Sequence, residues 1–155
     1  MSPPCKILAV SDSHGDCHLL LRIVQREQPF DAIVHCGDGA DDLSRIDIPK
    51  GVPIVRVAGN VDRSRGYGFE NIAVEPLCGK KIMVTHGDLF KVEYDLAPIL
   101  DEGMRRQADL VCFGHTHIKY YHGGTTALFN PGPADRGLYG VIFINEEIVC
   151  RHLHL

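Results

Sequence analysis

Short apolar runs followed by Gly, Asp or Asn recur along the whole chain. The first, residues 7–10 (ILAV), leads to Asp12 and predicts a buried strand. Residues 16–28 then place apolar side chains on one helical face, with Asp16 as the candidate N-cap and Pro29 as the stop. This opening segment therefore predicts a strand followed by a helix.

Two more apolar runs extend the pattern. Residues 32–34 lead to Asp38 and residues 54–58 lead to Asn60, with a polar stretch between them that has room for a short helix. A strand, a helix and a second strand in this order favour parallel pairing. The first third of the chain therefore predicts a β-α-β arrangement around a parallel sheet.

The middle of the chain has a different pattern. Residues 72–77 and 82–84 flank a Gly-Lys turn, which predicts a hairpin whose second strand leads to His86. The apolar positions of residues 94–107 predict a second long helix, in which Pro98 is compatible only with the first turn. We therefore expect antiparallel pairing followed by a helix.

The last part of the chain predicts strands only. The apolar run 110–112 leads into the sequence FGHTH, which reads as a strand and its end. Alternating residues at 126–129 and 141–144, with a turn at 145–146, predict a closing antiparallel meander.

Composition and charge exclude few functions. The 155 residues, 45% hydrophobic and 23% charged, are predicted to form one domain, 1–155. A formal net charge of −4 offers no general attraction to nucleic acid or to an anionic membrane, so neither is an expected partner. No apolar run is long enough for a membrane span or a signal sequence, which predicts a cytoplasmic protein. The six cysteines show no C-x-x-C spacing and are predicted to be reduced thiols.

Five of the predicted strands lead to residues that can bind a metal ion. Taken alone, Asp12 could cap a turn, Asp38 and Asn60 could be turn residues, and His86 could be a buried histidine bonded to backbone. Because the carboxyl ends of strands in open α/β sheets lie along one edge, the residues of all five ends are expected to meet. The candidate ligands are Asp12, His14, Asp38, Asn60, His86, His115 and His117. These residues are more ligands than one ion requires, and their number suits two divalent ions. A pair of divalent ions is a recurrent arrangement in enzymes that hydrolyse phosphate esters.

The order of these motifs resembles a known family. D-x-H, G-D, G-N-x-D, H-G-D and G-H-T-H follow one another as in the calcineurin-like metallophosphoesterases, and the short length with THGD, FGHTH and NPG is most similar to their small YfcE-type phosphodiesterases. The resemblance implies an α/β fold, a four-layer α/β/β/α sandwich of two mixed sheets. It implies one metal held by Asp12, His14, Asp38 and His117, and the other by Asp38, Asn60, His86 and His115, with Asp38 between the two ions.

The resemblance also implies an activity. The chain is expected to be a metal-dependent phosphodiesterase in which a hydroxide shared by two divalent ions attacks a small phosphate ester. Manganese is the first candidate metal, with nickel, iron or zinc as alternatives. Asn60 and His115 are the candidate catalytic residues that frame the phosphate pocket, while Asp62 and Asp88 are expected to accept from the outer ring N–H of liganding histidines.

Two positions depart from the wider superfamily. Val61 stands where many members have a histidine that protonates the leaving oxygen, which favours esters whose leaving group is already a weak base. Asp42 stands where many members have an arginine that binds phosphate. Arg63 and Arg65 are the nearest basic candidates for that task, and both could equally be solvated loop charges.

Other functions remain open at this stage. A phosphomonoesterase or a nuclease could use the same dinuclear site, although the acidic net charge disfavours a nuclease. The fold also serves as a scaffold in a subunit of the eukaryotic retromer coat, so a metal-binding scaffold is the alternative from a different class. By resemblance alone, a homo-oligomer is expected.

Overall fold

A computed structural model describes residues 3–155 of the chain. One of its two sheets contains β1 (Cys5–Val10), β2 (Ala32–His35), β3 (Ile54–Arg56), β9 (Leu138–Ile144) and β10 (Ile148–His154). Their order is β10-β9-β1-β2-β3, in which β1, β2 and β3 are parallel and β9 and β10 antiparallel to their neighbours. The predicted β-α-β opening with a parallel sheet is confirmed.

The other sheet is built from the second half of the chain. It contains β4 (Ile72–Leu77), β5 (Lys80–Thr85), β6 (Leu110–Cys112), β7 (Tyr120–His122) and β8 (Ala127–Asn130). In the order β4-β5-β6-β8-β7, the three central strands are parallel and the two edge strands antiparallel. Both sheets are therefore mixed, and the predicted β4–β5 hairpin is confirmed.

Within residues 3–155, three helices complete the fold: α1 (Cys17–Glu27), α2 (Asn60–Ser64) and α3 (Ala97–Arg105). Short 3₁₀ turns cover Ala40–Ser44, Asp88–Phe90 and Ala134–Arg136. On β1, Ile7 and Ala9 enter the core between the two sheets, whereas Leu8 and Val10 pack with α1 on the other face. The helix α3 buries Ile99 against the outer face of the second sheet. The layers are thus α/β/β/α, as predicted.

Local signals explain where the two longer helices begin and end. The Asp16 carboxylate accepts a hydrogen bond from the Leu19 amide at 3.1 Å, so the predicted N-cap of α1 is confirmed. The helix α3 is shorter than the predicted span of 94–107. It begins at Ala97, whose amide donates to the Asp95 carboxylate, and it ends before Gln107, which has a φ of 58°.

The predicted closing meander is wrong as a single sheet. The strand β8 pairs with β6 and β7 in one sheet, whereas β9 and β10 form a hairpin on β1 in the other. Residues 131–137 connect the two sheets. The alternating pattern of apolar residues predicts that a segment is a strand, but it does not encode which sheet the strand joins.

The prediction of reduced cysteines is wrong for one pair. Cys5 and Cys78, 73 positions apart, form a disulfide, whereas the other four cysteines are free. Cys5 opens β1 and Cys78 follows β4, so the bond joins one sheet to the other. Spacing along the chain could not show this pairing, because it depends on how the sheets face each other. Within residues 3–155, no helix has the length and apolar character needed to cross a membrane.

Candidate metal centre

The strand ends of both sheets bring five of the seven candidate ligands into one cluster. Asp12 follows β1, Asp38 follows β2 and His86 follows β5, while His14 and His117 complete the group. Asp12 and His86 are each 1% exposed, so the cluster is anchored in the protein interior. The expectation that these strand ends meet is confirmed.

The Asp12 carboxylate lies at the middle of the cluster. Its Oδ1 atom is 3.2 Å from Nε2 of His117, 3.5 Å from Nε2 of His14 and 3.9 Å from Nε2 of His86. Although it is buried, this oxygen accepts no hydrogen bond from residues 3–155. Buried polar atoms normally have a hydrogen-bond partner, and this one instead faces several ring nitrogens that can also bind a metal ion. The arrangement is therefore suited to binding a cation.

Asp38 reaches both sides of the cluster. Its Oδ2 atom is 3.3 Å from Nε2 of His86 and 4.0 Å from Nε2 of His14. Two groups have ligand atoms that all lie within 4.8 Å of one another: Asp12, His14 and His117, and Asp12, Asp38 and His86. Atoms bound to one ion at about 2.0–2.2 Å lie roughly 3–3.6 Å apart, so the donor set fits a metal. Asp12 belongs to both groups.

The remaining two candidate ligands are placed differently. Nδ1 of His115 is 3.3 Å from Nε2 of His86, so this imidazole borders the second group. Asn60 begins α2 and is exposed, and the described part of the chain provides no hydrogen bond to its side chain. The neighbouring Val61 amide donates to Oδ1 of Asp38 at 2.9 Å. Asn60 therefore lies beside the cluster, and its role as a ligand stays a prediction.

Backbone strain is concentrated at this site. Eight non-glycine residues of the described chain have positive φ, and five of them are candidate ligands. These five are Asp12, His14, Asp38, His115 and His117, with φ between 47° and 71°. Such conformations cost roughly 1–3 kcal/mol each and persist where the surrounding structure enforces them, most often at functional sites.

Two glycines explain why the motifs read G-N and G-H. A Cβ atom at Gly59 would collide with the Asp38 carboxylate, and one at Gly114 would collide with Ser11 Oγ and lie 2.5 Å from Oδ2 of Asp12. A side chain at either position would displace a candidate ligand. The backbone must therefore approach both carboxylates closely, which only glycine permits.

Asp62 supports the Asp38 loop in a way that sequence reasoning missed. We predicted that it accepts from a liganding histidine, and this is wrong. Its buried carboxylate accepts from three backbone amides, those of Asp38 at 2.8 Å, Gly39 at 2.9 Å and Gly59 at 3.0 Å. Asp62 lies in the first turn of α2, and that short helix, absent from the sequence predictions, points its carboxylate at these amides.

The predicted roles of Asp88 and Arg63 also need correction. The Arg63 guanidinium forms an ion pair with the Asp88 carboxylate and donates to the Ala58 carbonyl and the Asn71 side chain. Asp88 therefore contacts arginine rather than a liganding histidine. Because Arg63 is held by these partners, it is not free to bind phosphate.

Other groups orient the histidines instead. Nδ1 of His86 donates to the Cys36 carbonyl at 2.8 Å, so in the neutral imidazole Nε2 is the unprotonated nitrogen and faces the cluster. The Glu93 carboxylate lies 2.5 Å from Nε2 of His115. Nothing in the sequence singled out Glu93, because it comes from the loop after the Asp88–Phe90 turn rather than from a strand end. Asn130 of the NPG motif donates to the Gly114 carbonyl at 3.1 Å and so supports the FGHTH loop.

The electrostatics keep the carboxylates ionised. Burial opposes ionisation of Asp12, but the close contact with the His14 imidazole, the nearby His86 and His117 imidazoles and the Ser11 hydroxyl outweigh burial and lower its pKa to about 2. Burial likewise opposes ionisation of Asp38, but the contacts with His86 dominate and lower its pKa. The carboxylates in turn raise the pKa of His14. Burial alone would lower the pKa of His86, but the contacts with the Asp38 and Asp12 carboxylates outweigh burial, so the pKa of His86 also rises. The metal-free cluster thus attracts positive charge.

A small cavity of about 40 Å³ adjoins the cluster at His14 and Asp38. Arg65, Tyr67 and Val61 line it, with Arg45 on the same side. Val61 carries no ionisable group, so no proton donor stands at this position. Of the two predicted basic candidates, Arg65 is the one that lines this cavity, which Asp41, Asp42 and Asp62 also line.

Comparisons with known proteins agree with this geometry. Residues 5–142 match the model of the calcineurin-like phosphoesterase superfamily domain. A curated relative from Bacillus subtilis strain 168, described as probable metallophosphoesterase YsnB, is 34% identical over 113 residues. That match covers 72% of this chain and 64% of the relative's own length.

Solved structures share the fold. A conserved protein of Streptococcus pneumoniae TIGR4, described as a predicted phosphoesterase, superposes with a TM-score of 0.80 at 25% identity, covering 99% of this chain and 91% of that one. Vacuolar protein sorting 29 from Cryptosporidium parvum superposes with a TM-score of 0.71 at 14% identity, covering 99% and 100%. Because the family model matches residues 5–142, which are most of the chain, this chain belongs to the calcineurin-like phosphoesterase superfamily.

Proposed function

We propose that this protein is a metal-dependent phosphodiesterase acting on small phosphate esters. The observation that carries the proposal is the Asp12 carboxylate, buried without a hydrogen-bond donor on Oδ1 and shared by two ligand groups. The family, and a relative described as a probable metallophosphoesterase, support phosphoester hydrolysis. A scaffold without metals would have no need to keep such a carboxylate among imidazoles.

The ligand assignment follows from the two groups. Asp12, His14 and His117 are proposed to hold one divalent ion, manganese first among the candidates, and Asp12, Asp38 and His86 the other, with His115 and Asn60 at its edge. When bound, the two ions would supply Lewis acidity toward phosphate oxygens and lower the pKa of water.

The chain's own residues have separate tasks. Asp12 and Asp38 remain ionised at neutral pH because their pKa values are lowered, so they can neutralise cations. Arg65 is proposed to bind a phosphate oxygen, since Arg63 is committed to Asp88. In the reaction, the oxygen of water bonds to phosphorus and the ester P–O bond breaks, giving a phosphomonoester and an alcohol. Because Val61 cannot donate a proton, esters with weakly basic leaving groups should react fastest.

The test begins with chelator-treated protein. Hydrolysis of bis(p-nitrophenyl) phosphate and of p-nitrophenyl phosphate would be measured with Mn²⁺, Ni²⁺, Fe²⁺ and Zn²⁺. The same assays would be run on Asp38→Ala and His117→Ala, with the exposed residues Asp47 and His18 changed to alanine as matched controls.

The proposal expects metal-dependent diesterase activity that falls at least about 100-fold in both site variants and is retained in both controls. Faster hydrolysis of the monoester would instead identify a phosphomonoesterase. Two bound metals per chain without hydrolysis of either ester would favour a metal-binding scaffold.

A further inference from the structure

An apolar pocket of about 290 Å³ lies beside the candidate metal centre. Two polar residues, Glu93 and Thr116, form the part of its wall nearest the centre. The rest of the wall is apolar and consists of Val92, Leu96, Phe113, Ile118 and Tyr120. Val92 and Phe113 are buried and provide a fixed floor, whereas Ile118 is 68% exposed. The pocket is therefore preformed on one side and open to solvent on the other.

One imidazole, that of His115, links the pocket wall to the candidate metal centre. Nδ1 of His115 faces His86, and Nε2 of the same ring contacts the Glu93 carboxylate on the pocket wall. Thr116 follows His115 directly in the chain. The pocket wall therefore adjoins the proposed metal centre through His115, and we expect a substituent on a phosphate bound there to extend toward the pocket.

The lining chemistry favours an apolar substituent. Glu93 is the single charged residue of the wall, and its carboxylate is engaged by His115. A sugar or a second phosphate in this pocket would lose hydration without gaining matching partners, whereas a flat ring would remove apolar surface from water. A volume of about 290 Å³ is near the lower end for ligand pockets, which suits one or two rings.

An independent observation points the same way. Val61 places no proton donor at the position where many members of the superfamily have a histidine that protonates the leaving oxygen, which favours leaving groups that are weak bases. Aryl oxides are weaker bases than alkoxides. The pocket and the missing acid therefore both fit esters that carry an aromatic ring.

We infer that this pocket receives an aromatic substituent of the substrate, so that the substrate class is phosphodiesters bearing an aromatic group. This inference rests on the proposed function, which is tested separately by the hydrolysis assay described above. The ring occupies the space between Leu96, Ile118 and Tyr120 while the phosphate lies at the metal centre.

Binding of two diester analogues tests the inference without turnover. The monomethyl esters of phenylphosphonic and methylphosphonic acid carry the same single charge and differ only in the ring. Their dissociation constants would be measured calorimetrically on Mn²⁺-loaded protein, on Ile118→Ser and on Ile54→Ser. Ile54 is a matched control because it is an exposed isoleucine on β3, in the other sheet.

The expected result is at least about tenfold tighter binding of the phenyl compound by the native protein and by Ile54→Ser. Ile118→Ser should lose most of that preference while binding the methyl compound as before. Equal affinity for both compounds, or a preference unchanged by Ile118→Ser, would overturn the inference and assign the pocket to another occupant, such as an apolar side chain of a partner protein. Phenyl binding that is the same without Mn²⁺ would also overturn it, because the pocket would then act independently of the centre.

Discussion

Replacing Asp62 by asparagine should destabilise the protein although the side chain keeps its shape. The Asp62 carboxylate is buried and accepts from three backbone amides. Oδ2 accepts from Asp38 and Gly59, and Oδ1 accepts from Gly39. An asparagine oxygen can replace Oδ2, but its NH₂ group would then face the Gly39 amide, donor against donor.

The magnitude follows from these three bonds. Hydrogen bonds to a charged group contribute about 1.5–3 kcal/mol each and neutral ones about 0.5–1.5 kcal/mol. Asp62→Asn removes one charged bond and converts two others to neutral bonds. We therefore expect the free energy of unfolding to fall by about 3.5–6 kcal/mol. The Asp38 backbone has a φ of 58°, and without these bonds it should relax to a more favourable conformation. The Asp38 carboxylate would then move from its place in the cluster, so the protein should bind Mn²⁺ more weakly.

Urea unfolding of chelator-treated protein measures the first effect, and calorimetric titration with Mn²⁺ measures the second. Asp47→Asn is the matched control, because Asp47 is exposed and its variant should stay within about 0.5 kcal/mol of the native protein. If Asp62→Asn also stays within that range, the three amide contacts do not hold the Asp38 loop and the reasoning is wrong.

Three further predictions concern other parts of the structure. Burial lowers the pKa of His35 from 6.5 to about 4, so the unfolded chain takes up this proton first, and in metal-free protein His35 by itself should contribute a loss of about 3 kcal/mol as the pH falls from 6.5 through 4. Urea unfolding at both pH values should show a smaller loss for His35→Gln, and an equal loss would contradict this. Glu93→Ala should weaken Mn²⁺ binding about 10- to 100-fold by calorimetry, since it frees the imidazole of the proposed ligand His115 to rotate, whereas the exposed Glu75→Ala should not. Reducing the Cys5–Cys78 disulfide, which joins positions 73 apart, should lower the free energy of unfolding by about 4 kcal/mol. In the double variant with serine at both positions, the same reducing agent should leave the free energy of unfolding unchanged.

The candidate site was largely predictable because its ligands follow a topological rule. Apolar runs mark strands, and polar residues that follow parallel strands must share one edge of a sheet. Asp12 and Asp38 follow neighbouring parallel strands of one sheet and could therefore be placed together from the chain alone. His86 follows β5 in the other sheet and meets them because the two sheets pack against each other. Asn60 also follows a parallel strand, yet its side chain is exposed. The rule therefore predicts where a residue lies in the fold but not the direction of its side chain.

The supporting contacts could not be predicted in the same way. Asp62 was expected to face a histidine and instead accepts from three amides, because the short helix α2 turns it toward the Asp38 loop. Asp88 was expected to contact a liganding histidine and instead pairs with Arg63. Which of several nearby polar groups becomes the partner depends on distances between loops, and no local pattern encodes those distances.

The sequence by itself determined most of the strands, the two longer helices, the chemistry of the strand ends and the family they resemble. Those properties depend on periodicity and residue type over about ten neighbouring positions. Only the tertiary structure decided that β8 and β9 join different sheets, that Cys5 meets Cys78 and that Glu93 reaches His115. Each of these depends on packing between segments distant in the chain, where many pairings satisfy the same local pattern and the folded core selects one.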